Sequence, residues 1–269
     1  MPTRSALKRF YILCFMMYSG IILQAQSSQD TLMEKENRRA DDPSAFLTRL
    51  ELYNELQYHD EDYYFNQTVL RTIIKIGKRF TTRLDLPLIH NSFSPSPYDQ
   101  LGLGDISFRL LGYQVSQAKK SAITVSFEVS LNTAASPLLG TGKNIIIPVI
   151  TYTKLIPKQK MFFAVFIQQA NSFSGDDNRQ KVSFTKVQPI LVKYWSLKTW
   201  TVFAPSIYID YIQDGGSMNL EARHVFSPVP RMNLWGQAGV GVFGDFPARY
   251  VWSVQIGCRY FLLRKMNFN

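Results

Sequence analysis

Between Leu101 and Val115 the chain reads LGLGDISFRLLGYQV, and its apolar and polar positions alternate. Successive side chains of an extended strand point to opposite faces, so Ile106, Phe108 and Leu110 share one side and Asp105, Ser107 and Arg109 the other. Alternation alone leaves two architectures open. A soluble sandwich hides the apolar row and wets the charges, whereas a membrane barrel turns the apolar row to lipid and encloses the charges.

The same period recurs along the chain in about 12 segments, each close to the roughly 9–11 residues of a tilted membrane strand. They fall near 46–58, 65–76, 80–89, 104–115, 121–132, 144–155, 161–172, 182–195, 199–212, 217–226, 232–243 and 250–262. Apolar rows such as Phe46, Leu50, Leu52 and Leu56, or Ile123, Val125, Phe127, Val129 and Leu131, oppose polar ones such as Arg49, Glu51, Glu55 and Gln57. The segments at 144–155, 161–172 and 182–195 alternate less cleanly, and Gln188 with Pro189 suggests a bulge that switches the facing. Pro148, Pro189 and Pro205 speak against a closed barrel, because proline removes a ladder donor and a barrel has no edge strand to tolerate it.

The connectors favour the barrel. GKRF, SQAKK, PKQK, SLK and SPVPR are short and basic; they alternate with mostly longer links rich in Gly, Pro, Asp and Ser, including HNSFSPSPYDQLGLG, TAASPLLGTGK and SFSGDDNRQK. Short periplasmic turns alternating with longer outer loops are the pattern of an outer-membrane barrel, whereas a Greek-key sandwich mixes long crossovers irregularly. The fold expected is a single antiparallel up-and-down transmembrane β-barrel, all-β, with both termini periplasmic. Tyr58, Tyr63, Tyr64, Trp195, Trp200, Tyr211, Tyr250, Trp252 and Tyr260 fit aromatic girdles, the alternative being sandwich core residues.

The N-terminus agrees with export. Arg4, Lys8 and Arg9 precede an apolar run from Phe10 to Leu23 and then LQAQSSQD, which reads as a signal peptide over 1–26. The run is short of the roughly 20 apolar residues of a membrane helix. Leu13 stands before Cys14 where a lipoprotein signal needs a small residue, which argues against lipidation. Residues 27–45 form a polar periplasmic segment, 46–263 the barrel and 264–269 a short tail. The stretch from Ser27 to Ser44 is either a disordered leader, having few apolar residues to bury, or a segment that folds into the lumen.

Charge and candidate chemistry narrow the function. The chain carries +10, and removing the signal leaves 27 basic against 20 acidic residues, +7. No basic stripe interleaved with exposed aromatics marks a nucleic-acid surface. Lys78, Arg79, Lys119, Lys120, Lys158, Lys160, Lys198 and Arg231 fall instead in the short turns, where phospholipid headgroups attract each by roughly 1 kcal/mol. Cys258 is left alone after export, so no disulfide or cysteine-rich metal site is expected. Asp176 and Asp177 lack calcium-loop spacing, and LGTGK lacks the spacing and setting of a nucleotide loop. No cofactor or metal is expected, and no enzymatic activity. A surface lipid-modifying enzyme would need a serine–histidine pair; the nearest is His224 with Ser227, on the wrong end of its strand, and His59 and His90 lie in or beside outer loops.

The enclosed polar row is the remaining functional signal. Arg49, Glu51, Arg71, Lys75, Arg83, Asp85, Asp105, Arg109, Glu128, Asp210, Glu221, Arg223 and Arg259 are expected to line the lumen, either bounding an aqueous path or pairing to fill it. The expected role is a passive channel or transporter for a small-molecule solute, with a structural or ligand-binding barrel without transport as the alternative. Partners are outer-membrane lipids and the barrel-assembly machinery.

RFTTRLDLPLI, LGLGDISFRLLGYQV, LLGTGKNIIIP and WSVQIGCRYFL resemble the outer-membrane transporters grouped with the MetA-pathway phenol-degradation proteins. The likeness covers most of the chain after the signal and rests on strand rhythm and the GLGD element. It implies an outer-membrane barrel associated with hydrophobic or aromatic solutes, with no catalytic residues to carry over. Gln255, Gly257, Tyr260 and Leu262 also resemble the closing-strand assembly signal, although the chain runs on through LRKMNFN.

Overall fold

A computed structural model describes residues 39–59, 63–93, 100–118, 120–244 and 249–262. Residues 1–26 and 264–269, expected from sequence to be a signal peptide and a tail, lie outside the described residues, as do residues 27–38 and Lys119. Fourteen strand segments follow one another: β1 (Arg49–His59), β2 (Tyr63–Ile76), β3 (Phe80–Phe93), β4 (Gln100–Leu103), β5 (Ser107–Gln117), β6 (Ser121–Ser130), β7 (Lys143–Ile156), β8 (Met161–Gly175), β9 (Ser183–Tyr194), β10 (Thr199–Phe203), β11 (Ser206–Asp210), β12 (Gly215–Val229), β13 (Met232–Phe243) and β14 (Trp252–Phe261). Each pairs antiparallel with its sequence neighbour, and β14 returns to β1 with Arg49 opposite Phe261 and Tyr58 opposite Trp252. β4 and β5 both pair with β3, and β10 and β11 both lie between β9 and β12. The segments therefore make a closed barrel of twelve strands, and closure leaves no unpaired edge.

The outward rows are apolar and bare. Leu52, Leu70, Val125, Ile150, Val254 and Ile256 are exposed on β1, β2, β6, β7 and β14, a spread of bare apolar side chains that a protein surrounded by water rarely presents. The inward rows carry the buried polar side chains, including Glu51, Asp85, Glu128 and Arg259. This inside-out arrangement is the membrane-barrel solution, in which every backbone polar group is met by a neighbouring strand. It settles the facing of DISFRLL: Phe108 points outward and Arg109 inward, opposite Glu128. A bulge between Arg109 and Leu111 then places Leu110 and Leu111 both on the exposed surface.

The three prolines sit where the ladder tolerates them. On either side of the gap between β10 and β11, Leu191 faces Phe203 and Val187 faces Ile207, so Pro189 lies opposite Pro205. Two residues without an N–H share one interruption, and Gln188 Nε2 bonds Ser206 Oγ beside it at 2.8 Å. β8 pairs with β9 straight through Pro189, so the bulge expected at Gln188 is absent. Pro148 pairs with Phe127 on β6, while its ladder to β8 lapses between Ile146 and Val149.

The weak alternation of 144–195 has a packing cause. Phe162, Ala164, Val192, Trp200, Val202, Val225 and Trp235 form an apolar cluster inside the end that carries the termini. Both faces of these strands are consequently apolar. Trp200 belongs to this core rather than to a girdle, and Tyr250 is buried, its hydroxyl bonded to Glu221. Tyr63 shares the inward register of His59. Tyr64, Trp195, Tyr211, Trp252 and Tyr260 are exposed as expected.

Candidate functional site

A row of alternating charge crosses the interior because opposed residues on neighbouring strands are opposite in sign. Arg259, Glu51, Arg71 and Asp85 lie directly across from one another on β14, β1, β2 and β3. Glu51 accepts from Arg49 Nε at 2.6 Å and from Arg259 Nε at 2.7 Å. Arg71 grips Asp85 with two parallel bonds of 2.8 and 2.9 Å. Arg83 reaches Asp85 at 3.2 Å and Glu128 at 2.6 Å, and Arg109 donates twice to Glu128 at 2.8 and 2.7 Å. Such bidentate, charge-assisted bonds fix the side chains as one network.

Farther along β1, β2 and β14, and on β9, β12 and β13, the interior is polar in another way. Glu55 accepts from Gln57 Nε2 at 2.9 Å, Gln67 Nε2 at 3.0 Å and Gln255 Nε2 at 3.4 Å, all neutral donors. Arg223 donates to Gln237 at 2.9 Å, and Tyr250 donates to Glu221 at 2.9 Å. Lys186 lies over the Tyr208 ring at 5.3 Å.

The end that carries the termini is filled by residues 39–48. They enter the barrel before β1, and Ala40, Asp42, Ser44 and Ala45 are buried there. Asp42 closes a turn by accepting from the Ser44 N–H at 2.9 Å and hydroxyl at 2.6 Å. Asp41 reaches across the lumen, accepting from Trp200 Nε1 at 2.6 Å and Arg259 Nη2 at 3.2 Å, with Arg223 Nη1 at 3.6 Å. Burial pushes its carboxyl up, but Arg259, Arg223 and these hydrogen bonds together hold it below the usual carboxylate range. A disordered leader therefore does not describe the last part of the 27–44 stretch, and Phe46, assigned from sequence to a lipid-facing row, lines the interior. Above the segment lies a cavity of about 250 Å³ bounded by Arg49, Arg71, Arg83, Arg109, Glu221, Arg223 and Arg259 and by apolar Phe166, Ile190 and Val202.

The opposite end is narrowed by the link 131–142, which folds inward. Asp105 accepts from the N–H groups of Thr133 and Ala134 at 3.2 Å each and from the Thr141 N–H and hydroxyl at 2.7 and 2.9 Å. Leu139 is buried against Gly102, where any Cβ would meet its side chain. Arg179 holds the Gly140 carbonyl at 2.8 Å, and Asn91 donates to the Leu138 carbonyl. Cavities of about 550 and 780 Å³ lie on the two sides of this link.

Of the thirteen residues singled out from sequence, Arg49, Glu51, Arg71, Arg83, Arg109, Glu221, Arg223 and Arg259 border the inner cavity, Asp85 and Asp105 one outer cavity and Asp210 the other. Glu128 is buried between Arg83 and Arg109. Asp105 is committed to the inward link, and Asp210, at the rim of the other outer cavity, to the Ile212 and Gln213 N–H groups. Lys75 shares the inward register, opposite Thr81, but is exposed at the terminal rim. As lumen residues Asp41, Trp200, Trp235 and Lys186 were missed: Asp41 precedes the strands, Lys186 lies in a segment without clean alternation, Trp200 was assigned to a girdle, and an apolar Trp235 does not stand out in a search for inward charges. His224 is exposed and bonded to Thr201, whereas Ser227 is buried with its hydroxyl on the Val229 and Met232 carbonyls, so the two do not pair. Asp176 caps its own loop through Asn178.

No family model matches the chain, and no curated protein sequence does. Among solved structures it is similar to an outer membrane channel from Pseudomonas putida F1, with a TM-score of 0.64 and 12% identity over 80% of this chain and 95% of that one. It is also similar to the KdgM porin in complex with disordered oligogalacturonate, with a TM-score of 0.55 and 8% identity over 80% and 99% of the two chains. The NanC porin gives a TM-score of 0.55 and 9% identity over 80% and 100%. At such identities the likeness is one of fold. With its apolar exterior and closed wall, the chain is a twelve-stranded β-barrel of the bacterial outer membrane.

Proposed function

We propose that this protein is a passive outer-membrane channel for small, apolar or aromatic molecules, with residues 39–48 as a displaceable plug. The observation that carries the reading is how the segment is held. Among the described residues, apart from Thr48, which meets Lys75 and Leu262, each hydrogen bond between the segment and the barrel has a side chain on at least one partner, and the segment adds no strand to the wall. It can leave without opening the barrel. The exposed Lys78, Arg79, Lys120, Lys158, Lys160, Lys198 and Arg231 share the rim with the termini, which supports a periplasmic location for that end. The channel and porins of similar fold support transport as the class of activity, and the sequence resemblance to phenol-degradation transporters together with the apolar side of the inner cavity supports aromatic solutes.

The test is uptake of a small aromatic solute by cells lacking the protein, complemented with the full chain or with a chain lacking residues 28–42. A channel gives slower uptake in its absence, restored by the full chain and raised further by the deletion. Equal uptake in all three strains leaves a structural barrel without transport.

A further inference from the structure

We infer that Asp41 occupies a binding site for the carboxylate of a small organic acid, and that the plug is a tethered stand-in for that ligand. The inference rests on the channel reading only in supposing that the segment can withdraw. Both oxygens of Asp41 are engaged, one by the Trp200 indole N–H and the other by Arg259 and Arg223. The two guanidinium groups lie over the Trp235 ring, 5.2 and 5.5 Å from its centroid, so an aromatic platform fixes the cationic fork. This is a preorganised carboxylate receptor.

Its groups are left wanting when the plug departs. Among the described residues Asp41 is the sole acid paired with Arg223, whose other partners, Gln237 and Gln255, are neutral. Arg259, with a side chain only 4% exposed, has its Nη1 buried without a hydrogen-bond partner. Withdrawal leaves the part-buried Arg223 without an ion pair and the buried Arg259 with Glu51 alone, so it is favoured when another carboxylate takes the place. The adjoining cavity has apolar Val202, Ile190 and Phe166 on its wall, which suits the ring or short chain of a monocarboxylate.

The experiment uses the purified full-length protein in detergent and benzoate as probe, with binding followed by tryptophan fluorescence and equilibrium dialysis. Benzyl alcohol and inorganic phosphate serve as comparators. Removing the internal competitor in Asp41→Ala is expected to raise benzoate affinity at least tenfold, with benzyl alcohol and phosphate unaffected. Adding Arg223→Gln to Asp41→Ala is expected to abolish that gain, and adding Arg223→Lys to keep part of it. A gain of binding cannot come from misfolding. Equal benzoate affinity in wild type and Asp41→Ala, or an equal gain for benzyl alcohol or phosphate, overturns the inference. Binding is read without a membrane, so failure of the channel reading would appear as absent transport with benzoate binding intact.

Discussion

Asp105 accepts both the backbone N–H and the hydroxyl of Thr141, at 2.7 and 2.9 Å, and so ties the start of β5 to the end of the inward link. With Thr133 and Ala134 also on its carboxylate, one side chain organises the narrowing of the outer mouth. Asp105→Ala is expected to loosen residues 131–142 by about 1.5–3 kcal/mol, the range for bonds to a charged group. Hydrogen exchange at Thr133, Ala134 and Thr141 should accelerate while the strands keep their protection. Unchanged exchange would mean that Leu139 and Arg179 hold the link alone.

Glu128 is the shared counter-ion of Arg83 and Arg109. Glu128→Gln leaves two buried cations short of a partner and is expected to cost about 3–5 kcal/mol, as for other buried pairs broken on one side. Replacing Glu128, Arg83 and Arg109 together by apolar residues is expected to cost less than the single change. Urea unfolding of the folded barrel in detergent compares the two.

Acid should release the plug. The docked Asp41 carboxyl lies below its ordinary value because of Arg259, Arg223 and its hydrogen bonds, which together outweigh the opposing effect of burial. A depressed carboxylate favours docking above the undocked pKa, about 3.9, and that contribution is lost as pH falls through the docked value. Channel opening is therefore expected to stay constant between about pH 7 and pH 5 and to rise below about pH 4. Asp41→Asn should remove this acid response, which bilayer recordings across the pH range would check.

The topology makes a separate demand. Asn178 lies at the tip of a link remote from the termini and Lys158 in a turn on their side, and both are exposed. Cysteines placed at these positions should differ on intact cells: Asn178→Cys labelled by an impermeant reagent, Lys158→Cys protected. The reverse result would invert the barrel.

Much of this architecture was legible in the sequence because a strand with one face in lipid and the other on charge must alternate. Arg71, Arg109 and Glu128 were placed inside by that period alone. Phe162, Ala164 and Val192 blurred it, because an apolar cluster fills their side of the lumen and leaves both faces alike. Pro189 and Pro205 looked like two separate breaks until the register set them opposite each other. Asp41 was beyond periodicity altogether: its role comes from Arg223 and Arg259, well over a hundred residues away, and no local pattern carries that information. Gly102 and Asp105 of the GLGD element stood out as a motif, but their purpose required the packing of Leu139 and the bonds to Thr141.

Single-channel conductance of the full chain against a chain lacking residues 28–42, both inserted in planar bilayers, tests most directly whether the N-terminal segment closes a channel. A displaceable plug requires the deletion to insert equally well and to conduct more, with the closed periods of the full chain shortened or lost. Equal conductance from a correctly inserted deletion would contradict it and leave the lumen sealed by its own side chains.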